Sequence, residues 1–168
     1  PYRMDSLDRP AVATYLKLFI RERGDGFAHK LLADCGVDPR EVSGADQLPS
    51  RIVLDLLSRT DALTDDPSWA LALGQRLHVG SHGPVGFAAL SAPTLEACLA
   101  AICRFTPTST PFLELHSEVS GNRCVLRARA VTDLGPAHYP VMEMLLQVLQ
   151  AVIETVLGKE IDAISWQL

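Results

Sequence analysis

Two histidines four residues apart, His78 and His82, raise the first question of chemistry in this 168-residue chain. On a helix that spacing stacks two imidazoles on one face, as a two-histidine metal clip requires. Gly80 lies between them, and no carboxylate or cysteine follows at a spacing that completes a ligand set, so no metal site is expected. Cys35, Cys98, Cys103 and Cys124 form no CxxC pair and no compact disulfide pattern. Cys98 and Cys103 are five apart and do not share a helical face, so reduced, mostly buried thiols are expected. The segment "GPVGFAALSAPTLEACL" from Gly83 to Leu99 crowds two glycines and two prolines into an apolar run. It holds no nucleophile with a partnering base and no phosphate loop, so neither catalytic residues nor a cofactor are expected.

Composition sets the frame for these side chains. Hydrophobic residues make up 48 % of the chain and charged residues 21 %, close to soluble globular averages. A chain of this length buries roughly 70 % of its unfolded surface in one core, so residues 1–168 are read as a single domain. The net charge of −5 lacks the clustered Lys and Arg that phosphate neutralisation needs, which excludes a nucleic-acid grip by this segment alone. No run approaching ~20 apolar residues and no signal-peptide pattern is seen, so a cytoplasmic chain without a membrane partner is expected. The start at Pro1 and the apolar end "AISWQL" read as a fragment of something longer.

Helical periodicity dominates the first half. Val12, Tyr15, Leu16 and Phe19 follow three-and-four spacing until Gly24 and Gly26; a second helix runs from Phe27 to Cys35, stopped by Gly36 and the Asp38-Pro39 turn. A third spans about Pro49 to Ala62, with Ile52, Val53, Leu56 and Leu57 on one face. A fourth starts at Asp66-Pro67 and buries Trp69, Ala70, Leu73 and Leu77. Gly80, Gly83 and Gly86 then form a shaped connector, where positive φ or a close approach needs glycine. Thr94 caps the next helix, with Leu95, Cys98, Leu99, Ile102 and Phe105 as its buried stripe.

After Pro111 the period changes to two. Leu113, Leu115 and Val119 alternate with Glu114, His116 and Glu118; Gly121-Asn122 turns the chain, and Cys124, Leu126, Ala128 and Ala130 alternate with Arg127 and Arg129. A two-residue loop places Glu114 and Glu118 on the face of Arg127 and Arg129. A long helix from Pro140 to Leu157 carries Val141, Met144, Leu145, Val148, Leu149, Val152 and Val156, ends at Gly158, and crosses the sheet before a last strand at Ile164, Trp166 and Leu168. The expected fold is α+β: N-terminal helices, then an antiparallel hairpin, a long helix and a final strand forming a small sheet packed against helices.

The strings "LLADCGVDP", "LTDDPSWALALGQRL", "GPVGFAALSAPTLEACLAAICRF" and "HYPVMEMLLQVLQAVIETVLG", with the hairpin, resemble the N-terminal effector domain of AraC/XylS-type bacterial transcription regulators. The likeness is to the arabinose-binding-type, non-cupin subfamily and covers nearly the whole chain. Phe87 stands where that pattern usually has an aromatic. The resemblance implies a domain that senses a small-molecule effector or supports self-association as a homodimer. It also implies DNA contact only through a C-terminal helix-turn-helix domain absent from this chain.

An effector pocket on this reading lies between the long helix and the concave part of the sheet, closed by the connector from Gly80 to Phe87 with its glycines Gly80, Gly83 and Gly86. The candidate lining is His82, Phe87, Phe112, His116, Tyr139 and Met142. His138-Tyr139 sits ahead of the long helix as a pocket mouth, and Met142 and Met144 offer adaptable apolar surface. With aromatics at only 6 %, stacked sugar recognition is not specially supported, and an amphipathic or largely apolar effector fits better. The alternative is a ligand-free dimerisation or interaction module, marked by a solid core and an exposed apolar patch. In either case the isolated chain is expected to leave a promoter duplex unbound at physiological salt. A gel-shift titration checks this, and sequence-selective retention at sub-micromolar protein contradicts it.

Overall fold

The computed structural model describes residues 7–77, 79–121 and 123–160. The expected final strand and His78 lie outside them. Helices α1 (Thr14–Arg23) and α2 (Asp25–Asp34) meet at Gly24, whose φ of +84° makes the tight turn. Phe19 of α1 sets its ring edge-on to Phe27, 5.9 Å away, and 5.1 Å from the ring of Trp69. Gly36, with φ +64°, ends α2 as expected. Asp38 then caps α3 (Pro39–Gly44), its carboxylate accepting from Arg40 N–H at 2.8 Å.

Two short strands escaped the sequence reading. β1 (Pro10–Val12) pairs antiparallel with β2 (Gln47–Pro49), Ala11 opposite Leu48. Three residues are too few to show alternation, and the pairing is extended by Ala13 N–H donating to Asp46 O and Ser50 N–H to Arg9 O. Helix α4 (Ser50–Leu63) follows and buries Val53, Leu54, Leu56 and Leu57.

Helix α5 (Trp69–Gln75) begins later than the Asp66-Pro67 start predicted for it. The Asp66 carboxylate accepts from Ser68 N–H and Ser68 Oγ–H, at 2.9 and 2.7 Å, and so closes a turn ahead of the helix. The glycine connector is also different from expectation. It is a 3₁₀ turn (Val79–His82) followed by a helix, α6 (Pro84–Leu90). Of its three glycines only Gly83, at φ +57°, needs the left-handed region. Pro84 then has a pre-set helical φ at the first helical position, and Gly86 is a buried residue inside α6.

Helix α7 (Leu95–Ser109) is capped by Thr94, whose Oγ1 accepts from Ala97 N–H at 3.1 Å. Cys98, Leu99 and Ile102 are buried, but Thr106 rather than Phe105 completes the stripe. Strands β3 (Leu113–Ser120) and β4 (Arg123–Ala130) form the expected hairpin. Glu114 lies opposite Arg129 and His116 opposite Arg127. Arg129 Nη2 donates to Glu114 at 2.5 Å and Arg127 Nη1 to Glu118 at 2.8 Å, an exposed ladder of small energetic worth. Among the described residues the hairpin is covered where Leu115 and Leu126 join Cys98, Leu99 and Leu149. On the same face Ala128, opposite Leu115, and Ser117, Val119 and Cys124 farther out are exposed among the described residues.

Helix α8 (His138–Leu157) ends at Gly158 in the left-handed conformation. With the preceding 3₁₀ turn it forms a 23-residue helical run that holds an 18-residue stretch of mean hydropathy 1.4, long and apolar enough by composition alone to cross a membrane. That corrects the expectation that no such run exists. Its apolar character serves the interior, because α8 joins two hydrophobic clusters. Val141, Met142 and Met144 belong to the larger one with Leu57, Trp69, Leu73 and Phe112. Leu149 and Val152 belong to a second with Ala89, Ile102 and Leu115.

Helix α5 comes close against α8 at Gly74. A Cβ there would lie 2.7 Å from Gln147 Cβ and 3.2 Å from both Cα and O of Met144, distances that require the helices to part. Gly74→Ala is therefore expected to cost ~1–3 kcal/mol in thermal or urea unfolding. Gly80→Ala, with nothing within 4 Å of the new methyl, should melt close to the parent.

Candidate functional site

A cavity of about 100 Å³ lies between α8, α7, the start of β3 and the His82–Ala89 segment. Helix α8 supplies Val141, Met144, Leu145, Val148, Leu149 and Val152. These recur at three-and-four spacing over three turns, so one face of α8 forms a continuous wall. Ile102 and Thr106 of α7 stand across it, with Phe112, Leu113 and Leu115 at the hairpin base and Val85, Gly86 and Ala89 on α6. The walls draw on both hydrophobic clusters, Leu57, Phe112 and Met144 from one and Ala89, Leu115 and Leu149 from the other. The cavity is thus the seam where the two clusters meet without closing.

Few polar groups reach this seam. His82 Nε2 is buried without a hydrogen-bond partner among the described residues, and burial pulls the imidazole pKa below its usual 6.5. The others are the hydroxyl residues Thr106, Ser109 and Thr110 at the end of α7. They flank Pro107, which interrupts the backbone N–H series of the last turn. Thr106 Oγ1 donates to Ile102 O at 2.7 Å, while Ser109 Oγ and Thr110 Oγ1 donate to Thr106 O at 3.2 and 3.1 Å. Each hydroxyl hydrogen is committed to the helix, so what remains for a guest is oxygen lone pairs.

The candidate residues from sequence separate clearly. His82, Phe112 and Gly86 line the cavity. Phe87 is 66 % exposed and Tyr139 70 % exposed, each pointing away from it. His116 sits on the polar face of the hairpin, its Nε2 3.8 Å from Glu114. Met142 is buried in the larger cluster, and Met144 is the methionine on the wall. Gly83 turns the chain into α6, and Gly80 lies in the turn before it. Sequence reasoning passed over Thr106, Ser109 and Thr110; the hydroxyl-rich string around a mid-helix proline, "TPTSTP", was the available signal.

A wider groove lies between α1, α2 and α3, lined by Lys17, Arg21, Asp25 and Asp46. Lys17 Nζ already donates to Ser43 O and pairs with Asp46 at 3.7 Å, so much of its charge is satisfied internally. Among the described residues no three His, Cys, Asp or Glu side chains gather to hold a metal ion. All four cysteines are free thiols, but Cys98 alone is buried: Cys35 and Cys103 are half-buried and Cys124 is exposed, where mostly buried thiols were expected. Cys35 is pushed up to about 12, first by burial and then by the Asp55 carboxylate.

Comparison with known proteins places this architecture. Residues 27–165 match the family described as the arabinose-binding domain of AraC transcription regulator, N-term. The chain belongs to that family. A similar curated protein is the ornithine utilization regulator of Pseudomonas aeruginosa, 30 % identical over 101 residues. The match covers 60 % of this chain and 30 % of that regulator's length. This AraC-type N-terminal domain therefore corresponds to a minor part of the relative it matches.

His82 gives the AraC-type domain a defined response to acid. Its folded pKa is depressed by burial, so the folded state binds fewer protons than the unfolded state as pH drops. The stabilisation is present above the unfolded value of 6.5 and is lost as pH falls from there through the folded pKa. Unfolding free energy measured by urea titration should fall between pH 7 and pH 5.5, and His82→Leu should flatten that decline.

Proposed function

We propose that this domain senses a small-molecule effector in the seam cavity and reports its occupancy, through α8, to a separate DNA-binding module of a cytoplasmic AraC-type regulator. The carrying observation is a preformed apolar cavity with His82 Nε2 on its wall, buried and without a hydrogen-bond partner among the described residues. Helix α8 lines the cavity along three turns, so a guest bears directly on the element that runs toward the C-terminal end of the described residues. In this reading residues 1–168 act as one effector domain, with DNA as a partner only through the other module. Membership in a family of regulator domains supports it, and supports a regulatory rather than an enzymatic role.

The relative's name points to ornithine in its own regulation. Its charged groups find no opposite charge among the described residues of this cavity, so the name supports effector sensing here and not ornithine as the effector. A second reading, as an interaction module forming a homodimer, rests on Phe87 and Leu90. They lie three apart on α6 and are 66 % and 45 % exposed.

Native mass spectrometry before and after denaturation separates the two. The effector reading expects a small molecule released on unfolding. It also expects Ala89→Trp, which fills the cavity, to abolish both the released molecule and induction by the intact regulator while circular dichroism stays parental. No released molecule together with normal induction of Ala89→Trp overturns it. A dimer split by Phe87→Glu favours the second reading.

A further inference from the structure

We propose that the seam cavity takes a neutral aliphatic molecule that carries a hydroxyl group, and discriminates against the same skeleton bearing a carboxylate or an ammonium. The inference rests on the reading of this cavity as the effector site and adds the chemistry of the effector.

Three features of the wall carry it. First, no Asp, Glu, Lys or Arg is among the described residues lining the cavity, so a charged head would be desolvated without a counter-ion. Second, the hydroxyl hydrogens of Thr106, Ser109 and Thr110 are spent on the carbonyls of Ile102 and Thr106. The end of α7 therefore presents lone pairs, which attract a donor and repel a carboxylate. Third, His82 Nε2 is buried and has no hydrogen-bond partner among the described residues, and burial favours the neutral imidazole. Neutral imidazole nitrogen is a donor in one tautomer and an acceptor in the other. A hydroxyl is the small neutral group that answers both, since it donates and accepts. The remaining wall is aliphatic, set by Val141, Leu145, Val148 and Leu149 of α8 and by Ile102 and Leu115 opposite. Such a surface rewards an alkyl skeleton and offers nothing to a polyhydroxylated one.

Isothermal titration of the 168-residue chain at pH 7.5 with 1-hexanol, hexanoate, hexylamine and benzene tests this. Hexanol is expected to bind at least about ten-fold more tightly than hexanoate or hexylamine, the factor that one net hydrogen bond represents. His82→Leu, and separately the nearly isosteric Thr106→Val, should each weaken hexanol several-fold and leave benzene within about two-fold, because benzene has no donor to lose. Hexanoate or hexylamine binding as tightly as hexanol overturns the proposal. So does hexanol binding that neither substitution changes. Benzene separates the two levels of inference. If it binds while hexanol shows no benefit from its hydroxyl, the ligand class is wrong and the cavity reading stands; if no guest binds, both fail.

Discussion

Helix α8 lies against α5 at a separation that only glycine permits. A methyl at Gly74 would meet the Cα and carbonyl of Met144 and the Cβ of Gln147, and backbone atoms cannot swing aside as a side-chain end can. This contact fixes α8 laterally, and with it the direction of its apolar stripe. The N-terminal half of the stripe, at Val141 and Met144, is drawn into the larger cluster around Trp69 and Leu73. The C-terminal half, at Leu149 and Val152, is left to pack with α6, α7 and the hairpin base. One helix shared between two clusters, held rigidly at one of them, leaves a gap where the clusters adjoin.

The chemistry of that gap depends on a second local constraint, the proline inside α7. Pro107 has no N–H to continue the helical ladder, and the residues around it are Thr106, Thr108, Ser109 and Thr110. Their hydroxyls donate to the Ile102, Phe105 and Thr106 carbonyls. Hydroxyls that would be costly as bare donors in an apolar wall are thereby satisfied, and three of the residues still line the cavity. His82 is placed by a comparable local device: Gly83 at positive φ turns the chain directly after it, and Pro84 starts α6.

What could be read from the sequence follows from length and periodicity. The long amphipathic stretches repeat often enough to reveal their faces, so α4, α7, α8 and the hairpin register were legible. Gly36 and Gly158 were legible as stops because each supplies the left-handed residue a helix end requires. β1 and β2 were not, since three residues carry no period and their pairing depends on a contact between Ala11 and Leu48. The connector was misread because glycine argues against a helix by propensity, whereas tertiary burial of Val85, Gly86 and Ala89 overrides it. Of the candidate site residues, His82 and Phe112 do line the cavity. Phe87, taken from the family pattern, and Tyr139, taken from its place ahead of α8, are exposed instead, because neither a pattern nor a position ahead of a helix reports which side of an element faces inward.

A cavity at a seam differs from a void inside one cluster in what its occupant does. A void in a single core adds contacts uniformly and leaves the relative positions of elements unchanged. At this seam a guest touches Leu57, Phe112 and Met144 on one side and Ala89, Leu115 and Leu149 on the other, so its binding energy depends on how the two clusters are spaced. By linkage, a ligand favours whichever spacing it binds better, and only by its difference in affinity for the two. The Gly74 contact resists movement of α8 at the larger cluster, so adjustment falls on the side of α6, α7 and the hairpin base, where β4 is exposed along most of its length among the described residues. The physical basis proposed for sensing is therefore an asymmetric one: a fixed wall formed by α8 on α5, and a compliant wall that carries the hydroxyls and His82.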